Sequence, residues 1–179
     1  MGRTRTIAAF LLSQALPIRP SERTMRKELR PLFASYLDGL RKLAKARGIG
    51  DASLQRRFRD TSSALRNRAA PVVRRSSVYE AQQSYNDTIG ALRKLGERAE
   101  GKTLTDGQRK EVLKEADELI KKRFEPLPDR MLNRLADLRS DRDLRPLARG
   151  LADQLARDAS TLARVEGERI ANEEQGTGW

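Results

Sequence analysis

The sequence predicts an all-α fold, an elongated bundle of about six to seven helices. Leucine supplies 24 of the 39 Leu, Ile, Val and Phe residues, and Ala, Arg, Glu and Lys dominate the rest. This is a helix-forming vocabulary with few strand formers. Apolar residues recur at spacings of three and four, and no segment sustains an alternation of period two. Those 39 residues in a chain of 179 place it close to the compositional border of disorder. The helices should therefore carry narrow apolar stripes, with a core that a partner can complete.

The first segment, 6–16, is apolar behind Arg3 and Arg5. Its uninterrupted run, Ile7 to Leu12, is short and no small-x-small site follows, so it reads as a docking helix rather than an export signal. Pro17 and Pro20 end it. No run approaches the ~20 apolar residues of a membrane span.

Ser21 is the expected N-cap of a helix reaching about Arg47, closed by Gly48 and Gly50. Leu29, Leu32, Phe33, Tyr36, Leu37, Leu40 and Leu43 share its buried face, and Pro31 should kink it or mark its true start. Asp51 caps a second helix to about Ala69, with Leu54, Phe58 and Leu65 facing inward, and Pro71 should break it. A third runs from Val72 to Ala99 through Val73, Val78, Tyr79, Tyr85, Ile89, Leu92 and Leu95, ended by Gly101. Thr105 or Asp106 caps a strongly periodic helix with Val112, Leu113, Ala116, Leu119, Ile120 and Phe124. Glu125-Pro-Leu-Pro stops it, and Pro128 at a first helical position restarts a helix through Met131, Leu132, Leu135 and Leu138. Asp141 and Asp143 bracket the start of the last helix, which continues to about Glu174 with a break expected near Ala159-Ser160. Three regions result: a docking helix and linker over 1–20, a basic helical region over 21–100, and a charge-balanced helical region over 101–179.

The charge is unevenly placed. The net charge is +12, from 37 basic and 25 acidic residues, and all of it falls within residues 1–80. Seven arginines crowd one stretch, Arg56, Arg57, Arg59, Arg66, Arg68, Arg74 and Arg75, against the single acid Asp60. Arginine outnumbers lysine 28 to 9, which suits forked contacts to phosphate or carboxylate. The stretch reads as a stripe that meets DNA or an acidic protein surface. Only Phe58 lies within it and Tyr79 just beyond, so contacts to phosphates are favoured over base stacking.

The chain has neither cysteine nor histidine. Disulfides, thiolate nucleophiles, Cys/His metal sites and imidazole-based triads are thereby excluded. No catalytic residue, metal site or cofactor is expected. Gly96-Glu-Arg-Ala-Glu-Gly101-Lys102-Thr103 satisfies the bare spacing of a P-loop. Its lead-in is amphipathic and charged rather than strand-like, and Glu97 and Glu100 would face phosphate, so it reads as a turn between helices. Glu111, Glu115 and Glu118 share one helix side with Lys110, Lys114, Lys121 and Lys122 interleaved, which predicts i,i+4 ion pairs rather than a catalytic cluster.

In the last helix, Arg164 can meet Glu168 and Glu166 can meet Arg169 along the surface. Gly167 costs about 1 kcal/mol inside a helix, which suits a close approach by another backbone. Leu162-Ala-Arg164-Val165-Glu166, followed by Arg169 and Asn172, resembles the "I-A-R-T-E-x-x-R-x-x-N" helix of the head-morphogenesis, or minor head protein, family of tailed bacteriophages. The resemblance covers 144–174. Val165 takes the threonine slot, and the Cys/His-bearing segment of many members has no counterpart here, so the resemblance implies a short form.

That resemblance implies a virion protein of the head interior or portal vertex, assembled in the host cytoplasm and helping procapsid assembly or genome packaging and delivery. The implied partners are the portal or major capsid protein and packaged DNA, with multiple copies in an assembly and no membrane. Arg164, Glu166, Arg169 and Asn172 would be packing and ion-pair positions. The rival reading is a cellular, helical protein that binds nucleic acid without sequence preference. A third class, an enzyme using the Gly96–Thr103 loop or the carboxylates, would require nucleotide binding through Lys102.

Overall fold

The computed structural model describes residues 18–176; their regular structure is entirely helical, with no strand. Six helices follow in order: α1 Pro20–Lys45, α2 Asp51–Lys94, α3 Asp106–Phe124, α4 Leu127–Leu132, α5 Leu135–Arg139 and α6 Arg145–Glu174. The docking helix expected over 6–16 lies outside the described residues.

Several boundaries differ from the expected ones. Helix α1 starts two residues early, with Arg19 at the cap position, because Pro20 sits at its first position, where its fixed φ is already helical. Ser21 therefore lies inside the helix, and its hydroxyl donates to the buried Glu80 carboxylate instead of capping. Gly50 occupies the cap position of α2, leaving Asp51 in the first turn, where its charge meets the positive helix end.

The two helices expected on either side of Pro71 are one helix of 44 residues, about 65 Å long. Pro31 likewise lies within α1. Both prolines are exposed, as are Lys27 and Asn67 four residues earlier, so water can satisfy the carbonyls that lose their donors. Ala69 and Val73, both fully buried, hold α2 on the core across the proline. Helix α2 ends at Gly96, not at Gly101. Gly96 has φ of +84°, with Gly96 N–H donating to Arg93 and Glu97 N–H to Leu92, the paired bonds of a Schellman end.

Thr105 is the cap of α3, its hydroxyl accepting from Gln108 N–H while the Gln108 side chain accepts from Thr105 N–H. Pro128 follows Leu127 at the start of α4, and the single helix expected to Leu138 divides into α4 and α5. Helix α6 passes Ala159-Ser160 without a break. Both residues are fully buried there, so tertiary packing overrides the weak local signal.

Helices α1 and α3 run antiparallel to α2 and α6: Glu28 meets Arg75 while Tyr36 meets Ser62, Glu111 meets Arg169 while Arg123 meets Asp158, and along the parallel α2–α6 pair Ser84 meets Arg164 while Tyr85 meets Glu174. The α2–α6 contact is the most extensive in the molecule. It is built from small residues: Ser77, Ala81 and Ser84 on α2, and Ala152, Ala156, Ala159, Ser160, Ala163 and Gly167 on α6. A Cβ at Gly167 would lie 2.2 Å from the carbonyl oxygen of Ala81, so the expected close backbone approach is present. The main core combines residues on both sides of position 100, with Phe33 of α1 and Phe124 of α3 meeting at 6.1 Å between ring centres. A second cluster gathers Tyr85, Ile89 and Leu92 with Ala99, Leu104, Val112, Ala163, Ile170 and Ala171. Arg41 and Arg139 fasten the short α4–α5 segment to the end of α1 by donating to backbone carbonyls of Leu138, Arg142 and Ala44.

Candidate nucleic-acid interface

Leu54, Phe58, Ser62, Leu65, Ala69 and Val73 turn one side of α2 inward. The seven arginines occupy what remains, and the helix divides them rather than aligning them as one stripe. Arg57, Arg68 and Arg75 are spaced by eleven and seven and share one flank; Arg59 and Arg66, seven apart, share the opposite flank. Arg56 and Arg74 lie between them on the outer side, Arg56 exposed and Arg74 half-buried as it reaches across to α3. The flanks are fixed by contacts, since Arg75 meets Glu28 of α1 at 2.9 Å and Arg74 meets Asp117 of α3.

Two of the seven are thus neutralised within the fold. Arg56, Arg57, Arg59, Arg66 and Arg68 have no ion pair among the described residues, and all but Arg66 are well exposed. A guanidinium stays charged at any physiological pH, so these five carry uncompensated positive potential into solvent.

The α3-side flank opens onto a shallow groove of about 490 Å³ lined by Arg66, Arg74, Lys110, Lys114, Lys121, Asp117 and Glu118. The lysines were expected to pair with Glu111, Glu115 and Glu118 along α3, and they do not. Among the described residues only Lys121 has an ion pair, with Glu125 at 3.9 Å. Glu111 turns away to meet Arg169 of α6 at 3.0 Å. Lys110 and Lys114 consequently add their charge to the α2 arginines. Their spacing of four, with Lys121 seven further on, is the sequence signal for a shared face, obscured by the glutamates between them.

The family-like positions of α6 are spent on holding the bundle. Arg169 joins Glu166 at 2.7 Å, Glu173 at 2.8 Å and Glu111 across to α3. These carboxylates raise its pKa further above the ordinary arginine range. Glu166 and Arg169 meet as expected, but Arg164 does not meet Glu168. It approaches Glu80 instead, its Nε 3.6 Å from the carboxylate. Glu80 is 2% exposed and also receives Arg19 at 2.9 Å and the Ser21 hydroxyl. A buried carboxylate draws the available cation more strongly than an exposed one, because water already solvates Glu168. Asn172 is half-buried on the same helix, and Val165, in the threonine slot, faces solvent.

The Gly96–Thr103 loop has no phosphate-cradling geometry. A helix precedes it, α3 does not begin until Asp106, and Lys102 is paired with Glu174 at 2.9 Å. The Gln82 side chain donates to the Lys102 carbonyl and accepts from Leu104 N–H, tying the loop to α2. Beside it the Tyr85 hydroxyl donates to Glu174 at 2.7 Å, and burial together with that carboxylate pushes the phenol up to about 12. Among the described residues no cluster of acids could hold a metal ion, and no helix is long and apolar enough to cross a membrane.

No protein-family model matches the chain, and neither curated proteins nor solved structures give a match.

Proposed function

We propose that this chain is a structural, non-catalytic protein of a tailed-phage head, a minor head protein near the portal that helps procapsid assembly or genome packaging and delivery. One observation carries the reading: five arginines stand unpaired on α2 in a protein whose other helices exchange many ion pairs. Such a surface costs self-repulsion and is best accounted for by an external polyanion. The Arg164–Asn172 helix, similar to the head-morphogenesis motif, supports the choice of assembly. Its charged positions tie α6 to α2 and α3, as a packing role requires.

The same arginines favour a second reading, a cellular protein that binds nucleic acid through its phosphates without sequence preference. Co-expression with a tailed-phage portal and major capsid protein separates the two. A head protein co-purifies with the portal or is retained in assembled particles after a high-salt wash. A chain that binds DNA but is recovered free of both belongs to the second reading.

A further inference from the structure

A second basic surface lies away from the arginine stretch, on the opposite side of α1. Glu28 faces α2, whereas Arg30 faces α6, where Asp153 accepts two hydrogen bonds from its guanidinium at 2.8 Å each. Between α1 and the first turns of α6 runs an open cleft of about 500 Å³. Six cations line it, Arg23, Arg26, Lys27, Arg30, Arg145 and Arg149, and no carboxylate does. Its floor is apolar, formed by Pro31, Ala34 and Ala148 with Ile18 at the rim.

Three of the six have carboxylate partners outside the cleft lining. Arg30 is held by Asp153, Arg26 lies 3.2 Å from Glu22 and 3.6 Å from Asp153, and Arg145 is clasped by Asp143 at 3.0 Å. Arg26 also keeps a buried Nε without a hydrogen-bond partner. The other three, Arg23, Lys27 and Arg149, have no ion pair among the described residues. Three neighbouring carboxylates thus compensate half of the six charges. The cleft also adjoins the positive end of α6, a 30-residue helix. Paired guanidinium groups, cations without an ion pair and an apolar lining suit an oxyanion with several acceptor oxygens.

We infer that the α1–α6 cleft is a phosphate-binding site, distinct from the α2 arginine face, and that its ligand is the phosphodiester backbone of nucleic acid. Its cations spread over residues 23–30 of α1, about 10 Å along the helix, and 145–149 of α6, so a chain can lie across them rather than only a compact ion. This inference stands independently of the phage assignment and of the five α2 arginines.

The test uses the full chain and a variant that leaves the paired arginines intact, Arg23→Gln/Lys27→Gln/Arg149→Gln. A control of equal charge removes exposed cations elsewhere, Lys42→Gln/Arg47→Gln/Arg98→Gln. The probes are a labelled DNA duplex, followed by anisotropy across a salt series, and inorganic tripolyphosphate, followed by calorimetry. The cleft variant should bind DNA about tenfold or more weakly near 0.1 M salt, with a log–log salt slope smaller by about two to three. The control should change both by clearly less. Equal losses in the two variants, or none in the cleft variant, overturn the proposal. Loss of tripolyphosphate binding with DNA binding intact overturns the assignment to nucleic acid and identifies a free polyphosphate as the ligand. Circular dichroism confirms that each variant is folded, so a loss reports on the site. A five-arginine α2 variant in the same series reports separately on the α2 face.

Discussion

Gly167 shows how one residue can set the distance between two helices. It sits where α6 presses on the backbone of α2, with room for hydrogen but not for a methyl group. Gly167→Ala gains about 1 kcal/mol in helix propensity, yet it must push apart backbones that already touch, at a cost of about 1–3 kcal/mol or more. The substitution should lower stability in urea unfolding, and a raised midpoint would contradict the close approach. The glycine's role was legible in the sequence because a mid-helix glycine is locally unfavourable and calls for a tertiary reason. Glu80 was not legible. Nothing local distinguishes it from the exposed glutamates, and only the fold brings Arg19, Arg164 and Ser21 to it. For the same reason Arg164 could not be assigned its partner from helical spacing alone.

Helix boundaries were legible wherever backbone chemistry decides them. The Thr105–Gln108 capping box and the proline-rich stop after α3 depend on neighbours in sequence, so sequence exposes them. Pro31 and Pro71 misled because a helix tolerates a proline on its wet face when the opposite face is well packed. Pro71→Ala should therefore stabilise the protein. It restores a donor at an exposed position of a continuous helix, and the gain should be about 1–2 kcal/mol after the loss of proline's restraint on the unfolded chain. Unchanged or lower thermal stability would argue that α2 needs a distortion there. Between α1 and α6, the hydrogen bonds from Arg30, aided by the nearby charges of Arg26 and Arg149, hold the Asp153 carboxyl below the usual carboxylate range despite desolvation. A depressed folded-state pKa stabilises the fold above the unfolded value of about 4 and loses that contribution as acid protonates the folded carboxylate. Asp153→Asn should accordingly be less stable than the parent near neutrality and show a flatter decline below about pH 4. Parallel pH profiles for the two proteins would show that the pair contributes nothing.

At the scale of the molecule, charge is sorted by helix face. Most α6 carboxylates and α3 Glu111 are taken up by Arg169, Arg123, Lys102 and Arg30, while five of the seven clustered α2 arginines and three of the α3 lysines, Lys110, Lys114 and Lys122, have no ion pair among the described residues. The excess was legible as a block of sequence, but its shape was not. A linear cluster of seven arginines becomes two flanks and an outer edge once a helix winds through it, and two of the seven are drawn into ion pairs by elements distant in sequence. Compositional thinness also had a structural answer within the chain. Alanine and serine let α2 and α6 pack closely enough to bury a core with few large side chains, and among the described residues only Ile18, Tyr79, Leu95 and Val165 remain as exposed large apolar groups.

The central claim is that the unpaired α2 arginines meet phosphate. Its most direct test is the salt dependence of duplex DNA binding for the parent and for Arg56→Gln/Arg57→Gln/Arg59→Gln/Arg66→Gln/Arg68→Gln. The parent should bind with an affinity that falls steeply as salt rises. The variant should remain folded and lose up to about 4.5 from the log–log slope, at roughly 0.9 per phosphate released. Equal affinities and equal slopes for the two proteins would contradict the claim.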